Sequence, residues 1–97
     1  MVNILVTLDV KDFSLLAAFE SKAVEIMRSH GGCIIRAFET KRNDDNSGQE
    51  IHLLEFPNMA AFDEYRSSSL LLEYAELRSK AIGATTVVIS SEQKEYS

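Results

Sequence analysis

Residues Glu50 to Tyr65 read EIHLLEFPNMAAFDEY, a strand that runs directly into a helix. Glu50 to Phe56 is short, apolar and suited to a pleated surface. Pro57 ends it, because proline has no N–H to give a ladder. Asn58 then offers a side-chain oxygen to the free N–H groups of a first helical turn. Ala61, Phe62 and Tyr65 follow at helical spacing.

Upstream of this stretch, Lys41 to Gly48 (KRNDDNSG) is polar and rich in turn formers, an exposed hairpin loop. Cys33 to Thr40 reads as the strand before it. Gly31-Gly32 stops a helix over Phe13 to His30, since glycine enters the left-handed conformation without a Cβ penalty. Leu16, Phe19, Ala23, Ile26 and Met27 form its apolar stripe, with Glu20, Lys22, Glu25 and Arg28 assigned to the other side. Asp12 is its N-cap. Asp9 to Asp12 is a connection, with Asp9 a turn residue, and Val2 to Leu8 is the first strand. Downstream, Ser67-Ser68-Ser69 interrupts the helical pattern, which resumes over Leu70 to Ala81 through Leu70, Leu71, Tyr74 and Leu77. Gly83 is the expected stop, Thr85 to Ser90 the last strand, and Glu92 to Ser97 a polar tail.

The order is strand, helix, strand, strand, helix, strand. Two strand–helix–strand halves joined by a hairpin predict an α+β fold, the ferredoxin-like βαββαβ sandwich. It has one antiparallel four-stranded sheet with helices on one face, in a single domain over residues 1–97. The strands are apolar at nearly every position, as in Ile4-Leu5-Val6 and Val87-Val88-Ile89, whereas a sheet with a solvated face alternates. The uncovered face therefore calls for a cover, and a second copy of the chain packed about a two-fold axis supplies one.

Composition narrows the functional classes. A net charge of −5 and ten scattered Lys and Arg residues form no basic stripe for a phosphate backbone, so no nucleic-acid partner is expected. No apolar run approaches the ~20 residues that span a membrane. Met1 to Val6 lacks a basic n-region and reads as a strand, not a signal peptide, which points to a cytoplasmic protein. One Cys and two His exclude an internal disulfide and leave no metal spacing, and no phosphate loop or nucleophile elbow is present. No cofactor or metal is expected. Cys33, with nothing basic beside it, reads as a buried small hydrophobe. His30, at a helix C-terminus, is explained by the helix dipole and is assigned no function.

Glu55-Phe56-Pro57 after an apolar strand, Tyr65 in the helix that follows, and then Glu73-Tyr74 and Arg78 together resemble the DUF1330 group of the dimeric α+β barrel superfamily. The resemblance runs roughly from Val2 to Ile89. It implies a homodimer whose sheets face each other and enclose a cleft. The superfamily includes cofactor-independent monooxygenases of the antibiotic-biosynthesis type, so an enzyme of this kind would act on an aromatic or enol substrate.

The candidate residues follow from strand parity. His52 shares a face with Leu54 and Phe56, and a cleft on that face makes it a base or hydrogen-bond donor. Arg36, placed with Ile34 and Phe38, needs a partner in an apolar strand. That partner is either Glu55 or an anionic ligand met by its planar fork. For an enzyme, His52, Arg36 and Glu55 are the expected base, anion stabiliser and orienting group. Asn3 and Thr7, on the face of Leu5, join Phe38 and Tyr65 as expected pocket lining, polar groups among apolar walls. The leading expectation is a small apolar or aromatic ligand in a cleft. The alternatives are a cofactor-independent monooxygenase or isomerase, and a structural interaction module whose sheet face holds no cavity.

Overall fold

The computed structural model describes residues 1–96; Ser97, the end of the expected tail, lies outside the described residues. Eight elements follow in order: β1 (Val2–Val10), α1 (Phe13–Ser29), β2 (Cys33–Arg42), β3 (Gly48–Phe56), α2 (Met59–Arg66), α3 (Ser69–Leu72), α4 (Ala75–Ala81) and β4 (Ile82–Ser90). The sheet order is β2-β3-β1-β4, antiparallel throughout. This is the ferredoxin-like arrangement that the order of elements implied.

Parity in the two central strands is strict. Val2, Ile4, Leu8 and Val10 of β1 are buried, as are His52, Leu54 and Phe56 of β3. The register sets Val2 beside Phe56, Ile4 beside Leu54 and Val6 beside His52, so all share the face that the helices cover. Asn3, Leu5 and Thr7 point the other way, opposite Glu55, Leu53 and Ile51. On that open face Leu5, Phe38 and Val88 are 42%, 57% and 62% exposed.

Helix α1 starts where the Asp12 side chain accepts hydrogen bonds from Ser14 N (2.8 Å) and Leu15 N (3.1 Å). It ends before Gly31, whose φ of +78° is the left-handed turn that glycine tolerates. The Asn58 side chain caps α2 by accepting from Ala61 N at 2.8 Å. The serine run breaks the helical segment: α2 stops at Arg66, and Ser68 Oγ accepts from Leu70 N to start the single turn α3.

Several sequence expectations are corrected. β1 continues through Asp9 to Val10, so Asp9 is a strand residue and not a turn. Gly83 does not stop α4; β4 already begins at Ile82. The register passes from Leu8↔Thr85 to Val10↔Ile82, so Gly83 and Ala84 together oppose Asp9 in a bulge. Cys33 is exposed on the open face beside Glu55, because it sits on the edge strand β2 and no element covers that side. Arg36 does not share a face with Ile34. An irregularity between Ile34 and Arg36 sets Ile34 opposite Leu54 but Arg36 opposite Leu53, which turns Arg36 to the open face with Phe38.

The covered face carries two apolar clusters. One joins Ile4, Met27, Leu54, Phe56, Phe62 and Tyr65; the other joins Leu8, Phe13, Leu16, Phe19, Ala23 and Ile82. Val6, Leu71 and Tyr74 touch both. The clusters stay separate because the broken α2–α3–α4 segment cannot lay one continuous ridge along the sheet.

Candidate functional site

The seam between the two clusters is not filled. A cavity of about 280 Å³ opens there between α1, the α2–α4 segment and strands β1, β3 and β4. Met27, Leu54 and Phe62 form one wall, and Leu8, Phe19 and Ile82 the other. Its size lies near the lower end of the usual range for small-molecule sites, and apolar walls with few polar groups are their usual make-up.

The polar groups are specific. His52 stands mid-strand at the seam and is only 5% exposed. Glu50, two residues earlier and therefore on the same face, places Oε1 2.7 Å from His52 Nε2. A carboxylate in that place keeps a proton on Nε2 and leaves Nδ1 as the acceptor. Nδ1 makes no hydrogen bond among the described residues, and His52 itself lines the cavity.

Across from His52, α1 contributes Glu20. Burial raises the pKa of its carboxyl above the ordinary value; His52 and Arg78 counter this in part, and Glu50 adds to it. Tyr65, from α2, packs its ring on Phe56 with centroids 5.5 Å apart. Its hydroxyl is held strongly toward the protonated form by burial and then by Glu20. Arg66, Arg78 and Thr85 complete the polar lining.

The residues singled out from the sequence therefore divide. His52 and Tyr65 line this cavity together. Arg36, Glu55, Asn3, Thr7 and Phe38 lie on the open face of the sheet, so the expected trio of His52, Arg36 and Glu55 is not brought together. Arg36 and Glu55 also form no ion pair among the described residues. Thr7 borders a hollow on the open face with Asp9, Gln49 and Thr86. The polar groups there satisfy one another: Gln49 Nε2 donates to Asp9 at 3.1 Å, and the Thr7 and Thr86 hydroxyls meet. The seam cavity is the better site, because its few polar groups stand among apolar walls and Arg78 makes no ion pair among the described residues.

The sequence reading missed Glu20, Glu50 and Arg78. Glu20 lies four residues after Leu16, three before Ala23 and seven before Met27. Those spacings put it on the inward stripe and not with the solvated charges, so the signal was present.

The element order and sheet topology define a ferredoxin-like α+β protein. A family model described as "Domain of unknown function (DUF1330)" matches residues 2–91, and the chain belongs to that family. No curated protein matches it. Among solved structures, it is similar to the RPA0582 protein of unknown function from Rhodopseudomonas palustris. That likeness has a TM-score of 0.77 at 15% identity and covers 97% of this chain and 83% of that one. It is also similar to a protein described as an antibiotic biosynthesis monooxygenase, with a TM-score of 0.67 at 16% identity over 97% of this chain and all (100%) of that one. SnoaB, a cofactor-independent oxygenase from Streptomyces nogalater, gives 0.67 at 14% identity over 97% and 94%. At these identities the likeness concerns the fold alone. Among the described residues, no helix is long and apolar enough to cross a membrane.

Proposed function

We propose that the protein works as a homodimer joined through its open sheet face, and that the seam cavity of each chain binds a small apolar or aromatic molecule. The observation that carries the binding reading is the unfilled seam itself. Apolar cores pack to near-crystalline density with few voids, so a gap of this size stands out, and His52, Tyr65 and Glu20 line it. The dimer reading rests on Leu5, Phe38 and Val88, large apolar side chains left exposed on one face of the sheet. Native mass spectrometry of the purified protein tests both. The expected species is twice the 10.9 kDa chain, about 21.8 kDa, and it gains the mass of a bound compound when incubated with a panel of aromatic and quinone ligands. A monomer at every concentration removes the dimer, and a panel without adducts removes the ligand.

A second reading, an enzyme acting without a cofactor, is favoured by the 2.7 Å contact between Glu50 and His52. A carboxylate that fixes an imidazole tautomer beside an apolar pocket is the arrangement of a general base. In this reading His52 takes a proton from a bound enol or phenol through Nδ1, and Glu50 stabilises the imidazolium that results. His52→Ala then lowers turnover by about 10²–10⁴-fold while the protein stays folded. Unchanged turnover removes His52 from the chemistry.

A further inference from the structure

The cavity is asymmetric in charge. Its inner part holds Glu20 and His52, whose Nε2 meets Glu50 behind it, while two arginines stand at its exposed rim, Arg66 on α2 and Arg78 on α4. Arg66 is already engaged: it donates to Asp63 at 2.8 Å and its guanidinium lies 4.3 Å from the centroid of the Phe62 ring. Arg78 forms no ion pair among the described residues. Its charge nevertheless reaches inward, because it acts on both Glu20 and Tyr65.

We propose that Arg78 makes this cavity a site for a small carboxylic acid that bears a second oxygen, a 2-oxo or hydroxy acid with an aromatic or branched apolar body. The inference rests on the reading that the cavity binds a small molecule, and it names the class. Three features argue for it. A guanidinium fork matches a carboxylate in a bidentate way, and a free fork at the rim of an apolar cavity is matched by an acid group on an apolar ligand. The apolar walls at the seam take the body. Glu20, deeper in the cavity, then orients the ligand. The lining guanidinium without an ion-pair partner is that of Arg78, so the ligand's acid group stays at the rim. In its protonated form, which burial favours, the Glu20 carboxyl donates a hydrogen bond to a carbonyl or hydroxyl oxygen, and His52 Nδ1 accepts from a hydroxyl.

The test is calorimetric titration of the intact protein with four probes: phenylpyruvate, 3-phenylpropionate and the methyl ester of each. The acids are expected to bind about tenfold more tightly than their esters, the scale of one charge-assisted hydrogen-bond pair. Arg78 is exposed on α4, so Arg78→Gln leaves the fold intact; it is expected to erase the preference for acids and leave the esters' affinity unchanged. Glu20→Leu is expected to erase the advantage of phenylpyruvate over 3-phenylpropionate while the acid preference persists. Esters that bind as well as acids, or an acid preference that survives Arg78→Gln, overturn the assignment of the acid and leave the small-molecule reading standing. No binding of any probe overturns both.

Discussion

Glu20 shows how a single residue links stability to the site. Its carboxyl is harder to ionise in the fold than in the unfolded chain, where its ordinary value is 4.5, because burial removes water from the charged form. A raised pKa contributes stability that is complete below that ordinary value and is lost as pH rises through the higher, folded one. Glu20→Gln is therefore expected to raise the melting temperature at pH 7. The gain should shrink as pH is lowered toward 4.5, and thermal melts of both proteins across that range check it. A variant equally stabilised at all pH values would show that Glu20 strains the fold by shape and not by charge. At this scale the sequence was partly legible. Period-two alternation placed His52 with Leu54 and Phe56, and helical spacing held the position of Glu20, although a charged residue invites assignment to solvent. Arg36 was not legible. One extra residue in β2 reverses its face, and nothing in Cys33-Ile34-Ile35-Arg36 marks the irregularity.

The elements are legible where their ends have chemical punctuation. Asp12, Asn58 and the serine run each name a helix start or break, and each does so through a side-chain bond to backbone N–H. Gly83 misleads because a glycine serves a bulge as well as a helix end, and here the strand pairing with Asp9 determines which. Asp12 has a further task. Asn46 Nδ2 donates to it at 3.3 Å, and the Asn46 carbonyl accepts from Phe13 N at 2.9 Å. The β2–β3 turn is thus pinned to the start of α1, with Arg42 lying 4.0 Å above the centroid of the Phe13 ring. Asp12→Ala is expected to cost about 1 kcal/mol in chemical denaturation, the usual value of an N-cap. It is also expected to speed amide exchange in residues 43–47. Loss of stability without faster exchange would mean that Asp12 caps the helix but does not hold the turn.

For the whole molecule, the two faces of the sheet serve different ends. The covered face carries two apolar clusters and, at their seam, the cavity. The open face presents Leu5, Phe38 and Val88 with Arg36 and Glu55 among them. The order of elements was enough to imply the sheet and its one layer of helices. It was not enough to locate the cavity, which arises from how three short helical pieces fail to meet over Val6 and His52. That is a packing outcome with no local sequence mark. The proposed ligand site is the cavity on the helix-covered side, and not the open sheet face. The most direct measurement is an amide and side-chain NMR titration of the protein with the tightest compound from the aromatic panel. Shift changes are expected to concentrate at Glu20, His52, Leu54, Tyr65 and Arg78, with Leu5, Phe38 and Val88 unmoved. Changes centred on Leu5, Phe38, Arg36 and Val88 would place the ligand on the opposite face and contradict the proposed site.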